Sequence, residues 1–321
     1  MHSRYPRFLG AAIFAILVVA ALLSVRVSAA GDTDLTNLDR VERLSGTDLG
    51  PKRTWLAAGM DGDGATFAIV AADPSGSGPG LILREPAYRY ARPAYPYLSF
   101  LLSAGRRDLI LLGLTATGML AVAGTAFLAH LLNQERGWNA WLLIVNPALV
   151  VGFLENTAEP LAILALSVAL FTGSRLAAAA TALTRPSFVL GLAKDWRSVA
   201  VGLSTALVVK TFWSWRFSEV ITSGGFNLDF PFQGIFQSPS LMGWVVVLAG
   251  VGTAFVGVKN KDLGWVLSGL LVMSLSVIVV DTPVNAVRAA GLLPVLWAFG
   301  PNYQARSIRA TLFSPEVGGR R

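Results

Sequence analysis

The stretch "MDGDGATFAIVAADP" (60–74) sets carboxylates at Asp61, Asp63 and Asp73 in an otherwise apolar chain. An ionised carboxylate beside a hydroxyl can take its proton as that oxygen attacks an electrophilic carbon, so Asp63 and Asp61 are candidates for a general base. Plainer roles stand beside this one. Asp-Gly pairs form tight turns, which suits Asp61, and Asp63 directly precedes a semi-apolar run, where a carboxylate can satisfy free helix N–H groups. Asp73, before Pro74, ends that run. A calcium loop fails on spacing: counted from Asp61, the fifth position is Ala65 and the twelfth, which needs a bidentate Glu, is Ala72. Two acids can contribute to an Mg²⁺ or Mn²⁺ site, but without further ligands they do not establish one, and no cofactor is assigned.

The cations that could meet such acids lie further along. "YRYARPAYPY" places Arg89 and Arg92 among Tyr88, Tyr90, Tyr95 and Tyr97. Tyr and Arg anchor chains at a lipid headgroup layer, and the planar guanidinium also clamps phosphate oxygens. Glu155 and Glu159 in "ENTAEP" precede and open a helix whose first turn favours acids, so capping competes with substrate contact for Glu159. Arg185 in "TRPSF" interrupts an apolar run, where a lone guanidinium is costly unless it meets a partner or an anion. Asp281 and Arg288 are placed to pair with each other.

Composition says what must carry these groups. The chain has 321 residues, 54% hydrophobic and only 14% charged, the balance of a polytopic α-helical membrane protein. It has no Cys and two His, which removes disulfides, thiol nucleophiles and Cys/His metal sites. The net charge of +7 is scattered between apolar runs rather than gathered on one face, so the partners expected are membrane lipids and not nucleic acid.

Apolar runs predict about eight crossings: Phe8–Val25, Leu109–Leu132, Trp138–Leu154, Leu161–Thr172, Ala200–Trp213, Leu241–Val258, Leu263–Val280 and Val284–Phe299. The first, with "VRVSAAGD" behind it, reads either as a retained helix or as a signal peptide. Leu176–Ala193, broken at Arg185-Pro186, reads as a re-entrant hairpin, because only then do the basic loops and the tail share the side of Arg4 and Arg7. The expected protein is therefore one membrane domain over 1–321, multi-pass in the cell membrane, with both termini cytoplasmic. It carries a long first external loop (31–93), a later one (214–240) and a basic tail (302–321). Within the first loop, Leu35, Leu38, Val41 and Leu44 recur at helical spacing and predict an amphipathic helix on the membrane surface. Ala94–Gly105 is too short to cross and reads as an interfacial or re-entrant helix with Tyr95 and Tyr97 at headgroup level.

"DGATF" (63–67), "YRYARPAYPYL" (88–98), "EPL" (159–161), "LTRPS" (183–187) and "NLDFPFQGI" (227–235), in this order, resemble motifs of the GT-C superfamily of integral-membrane glycosyltransferases. The resemblance implies a GT-C-like helical bundle that transfers a sugar from a polyprenyl-phosphate donor to an envelope glycan or lipid acceptor on the outer face. It matches Asp63 to the catalytic first-loop acid, with Asp61 as the alternate. Tyr88, Tyr90, Arg89, Arg92, Glu159 and Arg185 fall in the motifs that bind substrate. Two other readings remain: a non-catalytic subunit of the same fold, and a lipid or solute transporter, which would favour midplane polar groups and an internal repeat. No repeat is visible.

Overall fold

In a computed structural model the chain is described over residues 5–30, 35–46, 48–50, 53–57, 59, 62–78, 83, 85–217, 232–237, 240–275, 279, 282–301 and 303. These residues form helices and turns with no strand. Asp61, Asp281, most of the later loop and nearly all of the tail lie outside the described residues.

Four helical stretches are long and apolar enough to cross a membrane: Phe8–Ala29 within α1 (Tyr5–Ala29), Arg107–Asn133 within α6 (Ile110–Arg136) and its leading turn, Gly137–Leu154, and α12 (Leu241–Asn260). The third is not one helix. A 3₁₀ run, Gly137–Leu143, leads to α7 (Pro147–Leu154), whose start is fixed by Asn146: its side chain accepts the Ala148 N–H and donates to Gly291 O. Glu159–Thr172 (α8), Leu263–Met273 (α13) and Pro283–Phe299 are shorter apolar helical segments. The last, expected as one crossing, divides into α14 (Pro283–Ala289) and α15 (Leu292–Phe299) at Ala290–Gly291.

The expected break after Thr184 is present. Helix α9 (Arg175–Thr184) ends because Pro186 disfavours a helical backbone at Arg185, which is extended at φ −149° and ψ 93°. A 3₁₀ run, Pro186–Leu192, then carries the chain back until Asp195 lies within the field of Arg175, at the end where α9 began. Helix α10 (Trp196–Arg216) packs along this hairpin. Gly202 permits the approach, since a Cβ there would sit 2.9 Å from a Val189 methyl. A similar economy joins α12 to α13, where Gly250 and Gly269 bring the two backbones together.

The first loop folds onto this bundle. Helix α2 (Thr36–Ser45) turns Leu35, Leu38 and Val41 to protein: Leu38 is fully buried in a cluster with Leu49, Leu56, Phe67 and Leu111, and Leu35 and Val41 pack against it. Helices α3 (Asp63–Ala72), α4 (Pro86–Tyr90) and α5 (Ala94–Leu102) follow. Tyr95 on α5 faces the protein interior rather than its surface. Its ring packs edge-on to Phe67 and its hydroxyl donates to Leu114 O at 3.0 Å, both inside the protein.

Candidate functional site

Asp63 is the first residue of α3, but its carboxylate makes no capping bond; the N-cap position is Gly62. Oδ1 accepts from Arg89 at 2.8 Å and Oδ2 from Arg288 at 2.7 Å. Two glycines let the acid reach this place. Gly59 takes a positive φ against Glu155, and a Cβ on Gly64 would lie 2.6 Å from Gly59 O and 2.7 Å from Glu155 O. The "DG" pattern thus seats the start of α3 on the end of α7 through backbone contact.

Arg26 secures the loop that leads there. Its guanidinium leaves α1 and donates to Trp55 O at 2.6 Å, Leu56 O at 3.3 Å and Phe153 O in the last turn of α7. Three carbonyls satisfy a charge that is 1% exposed, and the side chain also lies over the Phe153 ring. Within "VRVSAAGD" the sequence marked only the small residues that follow.

Four more segments converge on Asp63. Glu159, the first residue of α8, is buried and pairs with Arg185 at the break after α9 and with Arg288 at 3.2 Å. Arg288 on α14 also reaches Glu155, past the end of α7, at 3.8 Å. Arg288 therefore joins three carboxylates across about 225 residues of chain. The sequence had offered only Asp281 as its partner, because separation along the chain hides which helix ends share one end of a bundle. Glu155 and Arg288 are the members that reading missed as site residues.

Arg92 completes the group and differs from the rest. It is 8% exposed, its Nε has no hydrogen-bond partner, and no carboxylate of a described residue lies within ion-pairing distance. It rests instead on aromatic faces, with its guanidinium carbon 4.4 Å from the Tyr88 ring centre and 5.8 Å from that of Phe67. Arg89 approaches the same Tyr88 ring at 5.4 Å.

The cluster thus sets four guanidiniums against three carboxylates. Glu159 Oε2 and the Nε atoms of Arg185 and Arg288 are also buried without a hydrogen-bond partner, so each of these three residues, like Arg92, keeps unmet polar capacity within the cluster. Burial opposes ionisation of Asp63, but Arg288, Arg89 and Arg92 outweigh it and hold the carboxyl well below the usual range. Burial likewise pulls Arg92 below its ordinary value, against the smaller favourable pull of Tyr88 and Asp63. An added anion would offset that cost.

Tyr88 lies at this site, half exposed beside both arginines. Tyr90 does not face it. Its ring packs on Trp213 and Phe217, and its hydroxyl donates to Asp73 O at 2.6 Å, which is scaffold work. Among the described residues no group of three or more His, Cys, Asp or Glu is arranged for a metal, and both Asp63 oxygens are engaged by arginine. No family model, curated protein or solved structure matches this chain.

Proposed function

We propose that the protein is a membrane glycosyltransferase of GT-C type, moving a sugar from a polyprenyl-phosphate donor to an envelope glycan or lipid acceptor. The observation that carries this reading is Arg92: a buried guanidinium without a carboxylate partner among the described residues, beside Arg89 and an acid, at the ends of apolar helices. Such a group recognises an anion, and the helices around it suit a donor whose tail is lipid. In this reading the phosphate meets Arg92, Arg89 and Arg185, Tyr88 covers it, and Glu159 holds Arg185 in place. Displacement at the anomeric carbon needs one base for the acceptor hydroxyl and positive charge for the departing phosphate, and Asp63 and the arginines supply these.

The topology belongs to the same proposal. About eight crossings, with α9 and the following 3₁₀ run as a re-entrant hairpin, put both termini in the cytoplasm and the cluster toward the outer face. Helix α9 is 10 residues long, roughly 15 Å at 1.5 Å per residue, about half of a hydrocarbon core, so Arg185 would be recessed below the surface.

A second reading has its own support. Both Asp63 oxygens are taken by arginine, which favours a non-catalytic relative in which the cluster only joins helices. Purified protein in lipid nanodiscs, supplied with a panel of polyprenyl-phosphate sugars and acceptor glycolipids, separates the two. Transfer that Asp63→Asn abolishes supports the enzyme with Asp63 as its base, transfer unchanged in that variant removes Asp63 from that role, and no transfer with any donor that binds supports the relative.

A further inference from the structure

Among the cluster's arginines, Arg89 and Arg288 hold Asp63 in different ways. Arg288 is 8% exposed and shared among Asp63, Glu159 and Glu155, so it is fixed by the packing of α14 on α7. Arg89 is 25% exposed, sits on a five-residue helix, and has Asp63 as its one carboxylate among the described residues. It shares the Tyr88 ring with Arg92, which has none.

We infer that Asp63 is the resting counter-anion of an exchangeable phosphate site: an incoming phosphate bridges Arg92 and Arg89, takes Arg89 from Asp63, and leaves that carboxylate on Arg288 alone. This rests on the cluster being an anion site, and adds how it is gated. The exchange keeps every charge paired, because the phosphate replaces one carboxylate at Arg89 while supplying Arg92 with the anionic partner that no described residue gives it. It also sets the order of events. A carboxylate held by two guanidiniums is a poor proton acceptor, and losing one raises its basicity, so Asp63 becomes competent only once phosphate is seated. Arg185 and Glu159 stay paired throughout, since neither touches Arg89.

Asp63 and the phosphate therefore compete, and removing the acid's charge should tighten anion binding even while it removes catalysis. The test is equilibrium binding of a polyprenyl monophosphate to protein in phosphatidylcholine nanodiscs, with inorganic phosphate as a parallel probe. Asp63→Asn is expected to bind the polyprenyl monophosphate at least tenfold more tightly than wild type. Arg89→Gln, which leaves Asp63 on Arg288, is expected to bind it at least tenfold more weakly with its melting temperature nearly unchanged. In the double variant the gain from Asp63→Asn should vanish. Inorganic phosphate following the same pattern assigns the site to the phosphate itself; response of the lipid probe alone assigns it to phosphate presented on a lipid, and either supports the exchange.

Equal or weaker binding by Asp63→Asn, or unchanged binding by Arg89→Gln, overturns it. Should Asp63→Asn not fold, Arg89→Gln alone decides. Tightening without any sugar transfer would keep the exchange and remove the glycosyltransferase reading; loss of transfer in Asp63→Asn without tightening would do the reverse. Absence of anion binding in wild type removes both.

Discussion

In the proposed reading Asp63 is the general base, and its surroundings make two expectations specific. As a general base it should be worth roughly 10²–10⁴-fold, so Asp63→Asn should lower transfer by at least about a hundredfold in a donor-saturated assay. Its effect on stability should follow pH with a definite sign. The folded carboxyl titrates below its unfolded value, so its stabilisation is fully present above the unfolded value, near 4 on the ordinary scale, and is lost as pH falls toward the depressed folded value. The melting-temperature gap between wild type and Asp63→Asn should therefore be flat from neutral pH down to about pH 5 and narrow only in stronger acid. A gap that closes between pH 8 and pH 6 would point to another group. Tyr90 tests the opposite assignment. Tyr90→Phe removes one buried hydrogen bond, costing roughly 1 kcal/mol, and should leave binding of a polyprenyl monophosphate unchanged.

At the scale of elements, the site depends on three joints rather than on any one helix. Arg26 ties α1 to the 55–56 turn and the end of α7, so Arg26→Ala leaves buried carbonyls without their donor. A loss of about 2 kcal/mol or more is expected in thermal or denaturant unfolding, with Arg26→Met no better because the carbonyls stay unmet. Gly64→Ala forces a methyl between two carbonyl oxygens and should cost about 1–3 kcal/mol while shifting Asp63 away from Arg288. Weaker anion binding combined with a lowered melting temperature is the expected signature. The third joint, the break at Arg185-Pro186, was legible early: a proline fixes its predecessor's backbone, and a guanidinium in an apolar run demands a partner. That the partner is Glu159 was not legible.

For the whole molecule, the absence of cysteine gives a direct test of topology. Single substitutions Tyr88→Cys and Lys261→Cys, labelled in intact cells with a membrane-impermeant maleimide, should differ: Tyr88→Cys reacts from outside and Lys261→Cys only after permeabilisation. The reverse pattern, or reaction of both from one side, would overturn the proposed orientation. Much of the bundle was readable because apolar runs and their bracketing charges report helices directly, as α6 and α12 illustrate. The first loop was less so. Its amphipathic stripe at Leu38 and Val41 fits a lipid surface and a protein surface equally, and only packing chose the protein.

The sequence by itself determined the helical, membrane-type character, the helix break before Pro186, and the acid and arginines whose types suit phosphate chemistry. These follow from local rules of composition, periodicity and proline geometry. Only the tertiary structure decided that Asp63 pairs with Arg89 and Arg288, that Arg26 holds the loop behind it, that Tyr90 is scaffold, and that no described carboxylate pairs with Arg92. Charge pairing acts through space, and which helix ends meet at one end of a bundle depends on packing among segments more than a hundred residues apart.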